Sequence, residues 1–466
     1  MAPKNPYTGY RDQLATLSES GNRRWVYAQK PKGKLYNYRN LVSYTLLFLL
    51  FAIPFVKLNG EPFLLLNILE RKFILFGVQF WPQDFHLFLY SMITLFVFVV
   101  LFTVSYGRIW CGWTCPQTVF LEFIFRRIEY LIEGNPSQQR KLNSQSMNFE
   151  KFWKKSLKLI LFYTICFLIT NAFLSYIIGI DQLLEIMKAP ISEHSVGFTV
   201  SVLFSVVMFF VFTKLREQVC SMICPYGRLQ GVLLDSNSIV VAYDYKRGEE
   251  RAPLEAGEDR KEDGKGDCID CYQCVNVCPT GIDVRDGTQL ECINCTACID
   301  ECNSVMEWVG KPKGLIRFDS EKNIAEGKKQ KWPARKIAYT VVLCILLGIV
   351  AALFASRSDL EAIILRAPGL MYQDQDNGKI SNMYNFKVVN KTSVDIPIHF
   401  KIMNHEGDIL IIGKEMNAVA SSIKEGVFFA ILPPKEITSD NIPITIGVYS
   451  GERLIEEVKL TFVGPN

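Results

Sequence analysis

The sequence predicts a multidomain membrane protein: a five-helix α-helical transmembrane core, a small cysteine-rich α+β insert and a C-terminal immunoglobulin-like β-sandwich. Three observations predict it. Five apolar runs lack Asp, Glu, Lys and Arg. One cysteine spacing occurs twice between the fourth and fifth runs. Residues 375–466 contain no Cys and alternate like short strands. The 466 residues are 49% hydrophobic and 12% aromatic. That excludes a disordered chain and, with such uneven hydropathy, a single soluble domain. The 51 basic residues balance 47 acidic ones, too evenly to argue for nucleic acid, and none is expected as a partner.

The apolar runs are Leu41–Val56, His86–Ser105, Leu159–Ile180, Ser195–Thr213 and Ile337–Ser356. Crossing a bilayer takes roughly 20 residues. The first run is short and holds Pro54, but Asn40 and the snorkelling ends Arg39 and Lys57 extend it. Read instead as core helices of a soluble protein, all five would have to be covered. Residues 1–39 and 106–155 each carry eight Lys or Arg, and residues 214–336 carry nineteen, while the alternate loops carry few. Positive charge stays inside. The N-terminal tail (1–39), the 106–155 loop and the 214–336 segment are therefore expected in the cytoplasm, and 357–466 outside. No cleavable signal peptide is expected, because the first 39 residues are polar. The core spans 40–245, and a linker, 311–336, leads to the fifth helix at 337–356. Phe73–Trp81 is apolar but short and reads as an interfacial stretch on the outer face. Gln117–Ile132 has the apolar spacing of an amphipathic helix lying on the membrane.

Residues 246–267 are charged and contain Gly, which predicts a flexible linker. The segment 268–310 follows. It holds Cys268-x2-Cys271-x2-Cys274-x3-Cys278-Pro279, and then Cys292-x2-Cys295-x2-Cys298-x3-Cys302. This is the bacterial two-cluster ferredoxin spacing, in which the fourth Cys of each run ligates the other cluster. Three Cys on a tight loop meet three corners of a cubane, and the fourth corner is reached from elsewhere. One 4Fe–4S cluster then takes Cys268, Cys271, Cys274 and Cys302. The other takes Cys292, Cys295, Cys298 and Cys278. A disulfide scaffold is disfavoured in the cytoplasm. The four His residues, at 86, 194, 399 and 405, all lie outside the cytoplasmic parts, which removes zinc sites built on Cys and His.

Two further pairs match each other: Cys111-x3-Cys115-Pro116 after the second run, and Cys220-x3-Cys224-Pro225 after the fourth. His86 and His194 precede them at nearly equal distance. The core thus reads as two tandem copies of a two-helix unit. On a helix, i and i+4 share a face, and Pro after the second Cys opens a new helix. If the copies pack as a pseudo-symmetric pair, four thiols converge, and the neighbouring Arg108, Lys214, Arg216 and Arg228 would lower their pKa. Four soft thiolates could hold Cu(I), zinc or another cluster, or cycle as dithiols. The plainer alternative is four small buried residues at helix ends. Cys166 and Cys344 lie inside apolar runs and read as lipid- or helix-facing. His86 and His194, at the outer edge, read as interfacial hydrogen-bonding residues, with a metal or quinone site as the alternative.

In the C-terminal segment the strands are expected at Tyr384–Val389, Ile396–Ile402, Ile409–Ile412, Gly426–Leu432, Ile444–Tyr449 and Leu454–Phe462. Met371, Met383, Met403, His399 and His405 read as core Met and surface His, with outer copper ligands as the alternative.

Taken together, the five apolar runs, the two CxxxCP pairs, the segment CIDCYQCVNVCPTGIDVRDGTQLECINCTACIDEC at 268–302 and the C-terminal sandwich resemble one family. It is the cytochrome c oxidase accessory family of the CcoG type, also called FixG or RdxA, and the resemblance spans nearly the whole chain. It implies a multi-pass protein of the bacterial inner (cytoplasmic) membrane with a periplasmic C-terminal domain. It also implies an oxidoreductase acting on copper ions: electrons pass through two 4Fe–4S clusters and reduce Cu(II) to Cu(I) for assembly of a cbb-type cytochrome c oxidase. The implied partners are the lipid bilayer, copper ions, oxidase subunits or copper-delivery proteins, and an unknown electron donor. Cys111, Cys115, Cys220 and Cys224 would handle copper or relay electrons. Two other readings stay open: a quinol-linked electron relay to another redox enzyme, and a non-redox assembly scaffold.

Overall fold

The structure is a computed structural model. It describes residues 15–465 except 18–19, 21, 59, 70–71, 81–84, 191, 256–257, 261, 328–333, 357–359, 370–371, 376–377, 393, 414–416 and 421. The chain divides into two compact units. One comprises the residues up to Ala52, Ser91–Leu174 and Leu183–Gly348; the other comprises Ile53–Tyr90, Ser175–Gln182 and Ile349 onward.

Five helices carry the five apolar runs: Lys34–Ala52, Phe85–Tyr106, Phe149–Ile178, Ser195–Phe210 and Ala334–Ala355. With short continuations of the first and fourth, all are long and apolar enough to cross a membrane. Along Ile337–Ala355 none of the apolar window is buried against protein, and Cys344 there is exposed. The first helix begins at Lys34 and ends in a tight turn, Ile53–Phe55, at Pro54. Length is therefore gained at the polar end. Arg39 does not snorkel: it lies within the helix and is 1% exposed.

In the first unit, Phe120, Phe125, Phe162, Cys166, Ile169 and Phe212 form one buried cluster. The ring of Phe125 lies 4.5 Å from that of Phe212 and 4.7 Å from that of Phe162. The helix expected over 117–132 is built in three pieces, Pro116–Phe120, a π turn at Leu121–Phe125, and Arg126–Ile132. It does not present a polar face to water. Arg126 pairs with Glu122 at 2.8 Å, and Arg216 forms two bonds to Glu129, of 2.6 and 2.8 Å. Glu217 takes Arg23 at 2.9 Å, and Glu133 takes Lys158 at 2.7 Å. Apolar periodicity reveals the greasy face but not what covers the polar one.

The cysteine-rich insert is framed by an antiparallel pair, Val240–Tyr243 with Ile316–Asp319. Between them lie the helices Gln273–Asn276 and Ala297–Trp308. Val241, Tyr243, Val284, Ile299, Met306 and Leu315 supply its core. The segment expected to be a flexible linker is ordered where described. Arg260, 4% exposed, donates to the carbonyls of Gly266, Ala252 and Cys268 at 2.9, 3.1 and 3.0 Å. Arg247 holds Asp267 at 2.5 Å. These charges are spent on internal acceptors, so a polar composition here does not mean a solvated chain. The N-terminal tail is likewise tied down. The backbone N–H groups of Leu35 and Tyr36 donate to the Asp300 carboxylate at 3.3 and 2.8 Å, so a residue of the insert caps the first apolar helix.

In the second unit, the stretch expected to be interfacial is part of a three-stranded antiparallel sheet, Leu64–Asn67, Lys72–Leu75 and Val78–Phe80. Phe76 and Gly77 form its two-residue turn, both at positive φ (55° and 75°), as a type I′ hairpin requires. Trp81 lies outside the described residues. The C-terminal domain is a sandwich. One sheet runs Asp408–Ile412, Ile423–Leu432, Ile380–Asn390, Leu360–Arg366; the other runs His399–Ile402, Asn441–Ser450, Arg453–Val463. All six expected strands are present. Leu360–Arg366 is additional, and Ile396–Ile402 is broken into Ile396–Pro397 and His399–Ile402. Tyr384 Oη donates to the Thr461 carbonyl at 2.9 Å, joining the two sheets through an otherwise apolar core.

Candidate functional site

The two cysteine runs fold alike. In the first, Asp270 and Tyr272 flank the middle Cys at φ 53° and 54°; in the second, Asn294 and Thr296 do so at 52° and 67°. Left-handed backbone costs a non-Gly residue roughly 1–2 kcal/mol, and such strain gathers at functional sites. Here it curls each run around a centre. Both loops are held from outside: Arg285 grips Asp270 at 2.5 Å, and Asn294 Oδ1 accepts the Val241 N–H at 3.2 Å.

The loops place the cysteines in crossed sets. Cys268, Cys271, Cys274 and Cys302 line one cavity. Cys278, Cys292, Cys295 and Cys298 line a second, which Cys274 also borders. Apart from these thiols, the walls are largely apolar, with Leu315 and Ile316 at the first and Ile282 and Ile293 at the second. Four soft donors around a largely apolar cavity suit an iron–sulfur cubane. Among the described residues no three His, Cys, Asp or Glu side chains lie within reach of a single ion; ligands of a cubane stand wider, since the cluster lies between them. Cys271 is exposed and Cys274 and Cys295 are buried. Burial pushes the Cys292 thiol up to about 12 and the Cys302 thiol to about 12, so metal binding there releases protons.

The two CxxxCP motifs fold as copies. In each, the second Cys takes an extended conformation before Pro at the first helical position (Cys115 φ −61°, ψ 125°; Cys224 φ −67°, ψ 114°). In each, its N–H bonds to the carbonyl five residues back: Cys115 to Trp110 at 3.0 Å and Cys224 to Val219 at 2.7 Å. The pairs thus straddle a helix break instead of sharing one helix. The four thiols share one neighbourhood, Cys111 near enough to Cys115 and Cys224, and Cys220 to the other three, to influence one another, but no three of them lie within reach of a single ion. At Cys111, Cys115 and Cys220 the expected lowering of the pKa is reversed. Burial pushes the Cys111 thiol up to about 11 and the Cys220 thiol up to about 12, with Arg108 pulling only partly back. Arg216, expected beside the thiols, instead pairs with Glu129 and reaches Glu217 at 3.7 Å. Arg108 does sit at the quartet. Its Nε donates to Gln230 Oε1 at 3.1 Å, its Nη1 to the Leu290 carbonyl, and Gln230 Oε1 also accepts from Cys111 Sγ at 3.0 Å.

The quartet abuts the second cavity. Cys111, Val277, Ile293, Cys295 and Ala297 form one buried cluster. A Cβ on Gly112 would lie 2.3 Å from the Ile293 carbonyl oxygen and 3.0 Å from Cys295 N and Cα. Only glycine lets the two loops touch this closely.

Comparison with known proteins matches three family profiles. Residues 215–321 match a 4Fe-4S dicluster domain, residues 88–135 a 4Fe-4S binding domain, and residues 350–465 the Ig-like fold at the C-terminus of FixG. Protein RdxA of Cereibacter sphaeroides is 34% identical over 71% of each chain. Protein RdxB of the same organism is 33% identical over 81% of each.

The chain belongs to the FixG/RdxA family.

The nitrogen fixation protein FixG of Rhizobium meliloti is 32% identical, over 64% of this chain and 57% of its own. As a FixG-family member the chain is a membrane-associated, ferredoxin-type iron–sulfur electron-transfer protein. Of the remaining candidates, His86 lies at the start of the helix Phe85–Tyr106, and His194 is the N-cap of Ser195–Phe210, but neither joins a metal-binding group among the described residues. Cys166 is helix-facing, in the aromatic core. In the C-terminal domain His399 stacks on Tyr449 and His405 meets Glu436 at 2.6 Å; Met371 lies outside the described residues. Gly112 and Gln230 go unmarked in the sequence and Arg39 reads there only as a snorkelling end, because each belongs to the site only through long-range packing.

Proposed function

We propose that the chain delivers single electrons from two ferredoxin-type 4Fe–4S clusters to the CxxxCP quartet. There Cu(II) is reduced to Cu(I) for assembly of a cbb-type cytochrome c oxidase. The observation that carries the reading is the continuity of the crossed cysteine sets with the quartet across the Gly112–Cys295 contact. Cys268, Cys271, Cys274 and Cys302 would hold one cluster, and Cys278, Cys292, Cys295 and Cys298 the other. When bound, the clusters supply reversible one-electron steps. Copper is substrate: Cu(II) gains one electron, and one reduced centre is oxidised in return. Val277, Ile293 and Ala297 keep water out of the junction. Cys111, Cys115, Cys220 and Cys224 offer soft donors that favour Cu(I) over Cu(II). The loop charges favour an inner-membrane arrangement with the insert in the cytoplasm and the sandwich in the periplasm. A second reading makes the quartet an iron–sulfur relay without copper; the 4Fe-4S profile over 88–135, which includes Cys111 and Cys115, favours it.

The test is reduction of Cu(II) by the anaerobically purified, chemically reduced protein, with Cu(I) trapped by a specific chelator. Cys268→Ser and Cys292→Ser each cut the rate at least tenfold if the clusters carry the electrons. An unchanged rate removes them from the path. Cu(I) formation that survives Cys111→Ser and Cys224→Ser removes the quartet as the copper site, and reduced wild type that forms no Cu(I) points to the relay without copper.

A further inference from the structure

Arg39 is a charge without a counter-charge. It is 1% exposed. Its Nε donates to the Gly112 carbonyl at 2.7 Å, its guanidinium lies 4.9 Å from the Phe123 ring, and its Nη2 is buried with no acceptor. Taking a guanidinium out of water costs several kcal/mol unless an anion answers it. Of the other buried arginines of this unit, Arg126 has Glu122, Arg216 has Glu129 and Arg260 has Glu258, while Arg108, which lines a cavity with Cys292, shares with Arg39 the lack of an ion pair among the described residues. No ion pair among the described residues includes Arg39. What lies beyond Gly112 is the Cys292–Cys295 loop, at van der Waals distance. Arg39 is also the strongest influence favouring the Cys295 thiolate, against burial, which pushes that thiol up.

The first cavity is built differently. Its cation, Arg285, is answered twice, by Asp283 at 2.6 Å and Asp270 at 2.5 Å. Its positive charge is spent before it reaches the thiols. A cubane with four thiolates is an anion in both redox states and more negative when reduced. A net cation beside it therefore favours the reduced form, and the low dielectric of a buried site strengthens the effect.

We propose that Arg39 is the counter-ion of the second ferredoxin site, and that it sets that site's potential above that of the first, so that electrons run from the first site to the second and on towards the quartet. The step moves one electron: the first site is oxidised as the second is reduced, and no proton or bond changes hands. Arg39 is a positioning residue in the same stroke, because its bond to the Gly112 carbonyl holds the Cys111 loop against the Cys295 loop. The proposal rests on the two-cluster reading above.

The test is an EPR-monitored redox titration of the whole protein in detergent, with iron quantified in every sample. The wild type shows two separable midpoints. Cys298→Ser, which alters one signal, identifies the second site. In Arg39→Gln the midpoint of that site falls while the other stays, and iron content is retained; Arg39→Lys restores the higher value. Full iron with both midpoints unmoved, or both moved equally, overturns the assignment. Should Arg39→Gln fail to accumulate, Asp283→Asn tests the same field from the other side. Removing a carboxylate from Arg285 raises the lower midpoint and narrows the gap, and an unchanged gap contradicts the proposal. An iron-free wild type would instead remove the two-cluster reading itself.

Discussion

At the scale of single residues, the structure turns on close approaches and buried charges. Glu129 shows how a charge is kept under cover. Burial alone would raise its pKa, but the Arg216 charge and hydrogen bonds, with Lys158 and Arg126 behind, hold the carboxyl down at about 2. A depressed carboxylate stabilises the fold above its unfolded pKa near 4.5, and that contribution is lost as pH falls towards the folded value. Glu129→Gln removes the two charged bonds to Arg216 and leaves it only Glu217 at 3.7 Å, at a cost of about 3 kcal/mol. Thermal unfolding in detergent between pH 7 and pH 3 checks this: the variant is less stable at pH 7, and its stability falls less on acidification. Gly426 marks a close approach. A Cβ there would meet Phe386 Cζ at 2.5 Å, across the register pair Phe386 and Gly426. Gly426→Ala overpacks the sandwich by about 1–3 kcal/mol, to be read as a drop in its denaturation midpoint. The cysteine spacings were legible at this scale because ligation by one loop is a local property. The burial of Arg39 was not: at the end of an apolar run an arginine reads as a snorkelling anchor, and only the packing of the insert decides otherwise.

At the scale of elements, the apolar runs, the strand alternation and the proline after each second Cys all became the elements they implied. The misreadings share one cause. The segment 246–267 and the helix over 117–132 are rich in charge, and charge in sequence does not say whether water or another side chain satisfies it. Arg260 satisfies backbone groups that a solvated linker would have left to water. Leu360–Arg366 escaped notice because it follows the fifth helix closely and is recognised only through its pairing with Ile380–Asn390. The aromatic cluster around Phe125 is the main packing of the first unit's helical part. Phe125→Ala removes two ring contacts, and the resulting cavity costs about 3–5 kcal/mol. A comparable fall in thermal stability with iron content unchanged is expected, because this cluster and the insert's core share no residue.

At the scale of the whole molecule, the proposed arrangement puts the insert on one side of the membrane and the sandwich on the other. Reporter fusions or thiol labelling in intact cells should find residues 106–155 and 268–302 on the same side as the N-terminus, and the sandwich on the other. Labelling of the insert and the sandwich from one side contradicts the arrangement. The matched folding of Cys111–Cys115 and Cys220–Cys224 makes the two motifs copies of one unit, and in the proposed function the insert supplies their electrons. The central claim is that eight cysteines, in two crossed sets, hold two cubanes beside that site. Its most direct test is iron quantification with low-temperature EPR on anaerobically purified wild type and on Cys302→Ser and Cys278→Ser. The account predicts about eight irons per wild-type chain. It also predicts that Cys302→Ser perturbs the same EPR signal as Cys268→Ser, while Cys278→Ser perturbs the other. An iron-free protein, or a Cys302→Ser variant that disturbs the signal belonging to Cys292, Cys295 and Cys298, would contradict it.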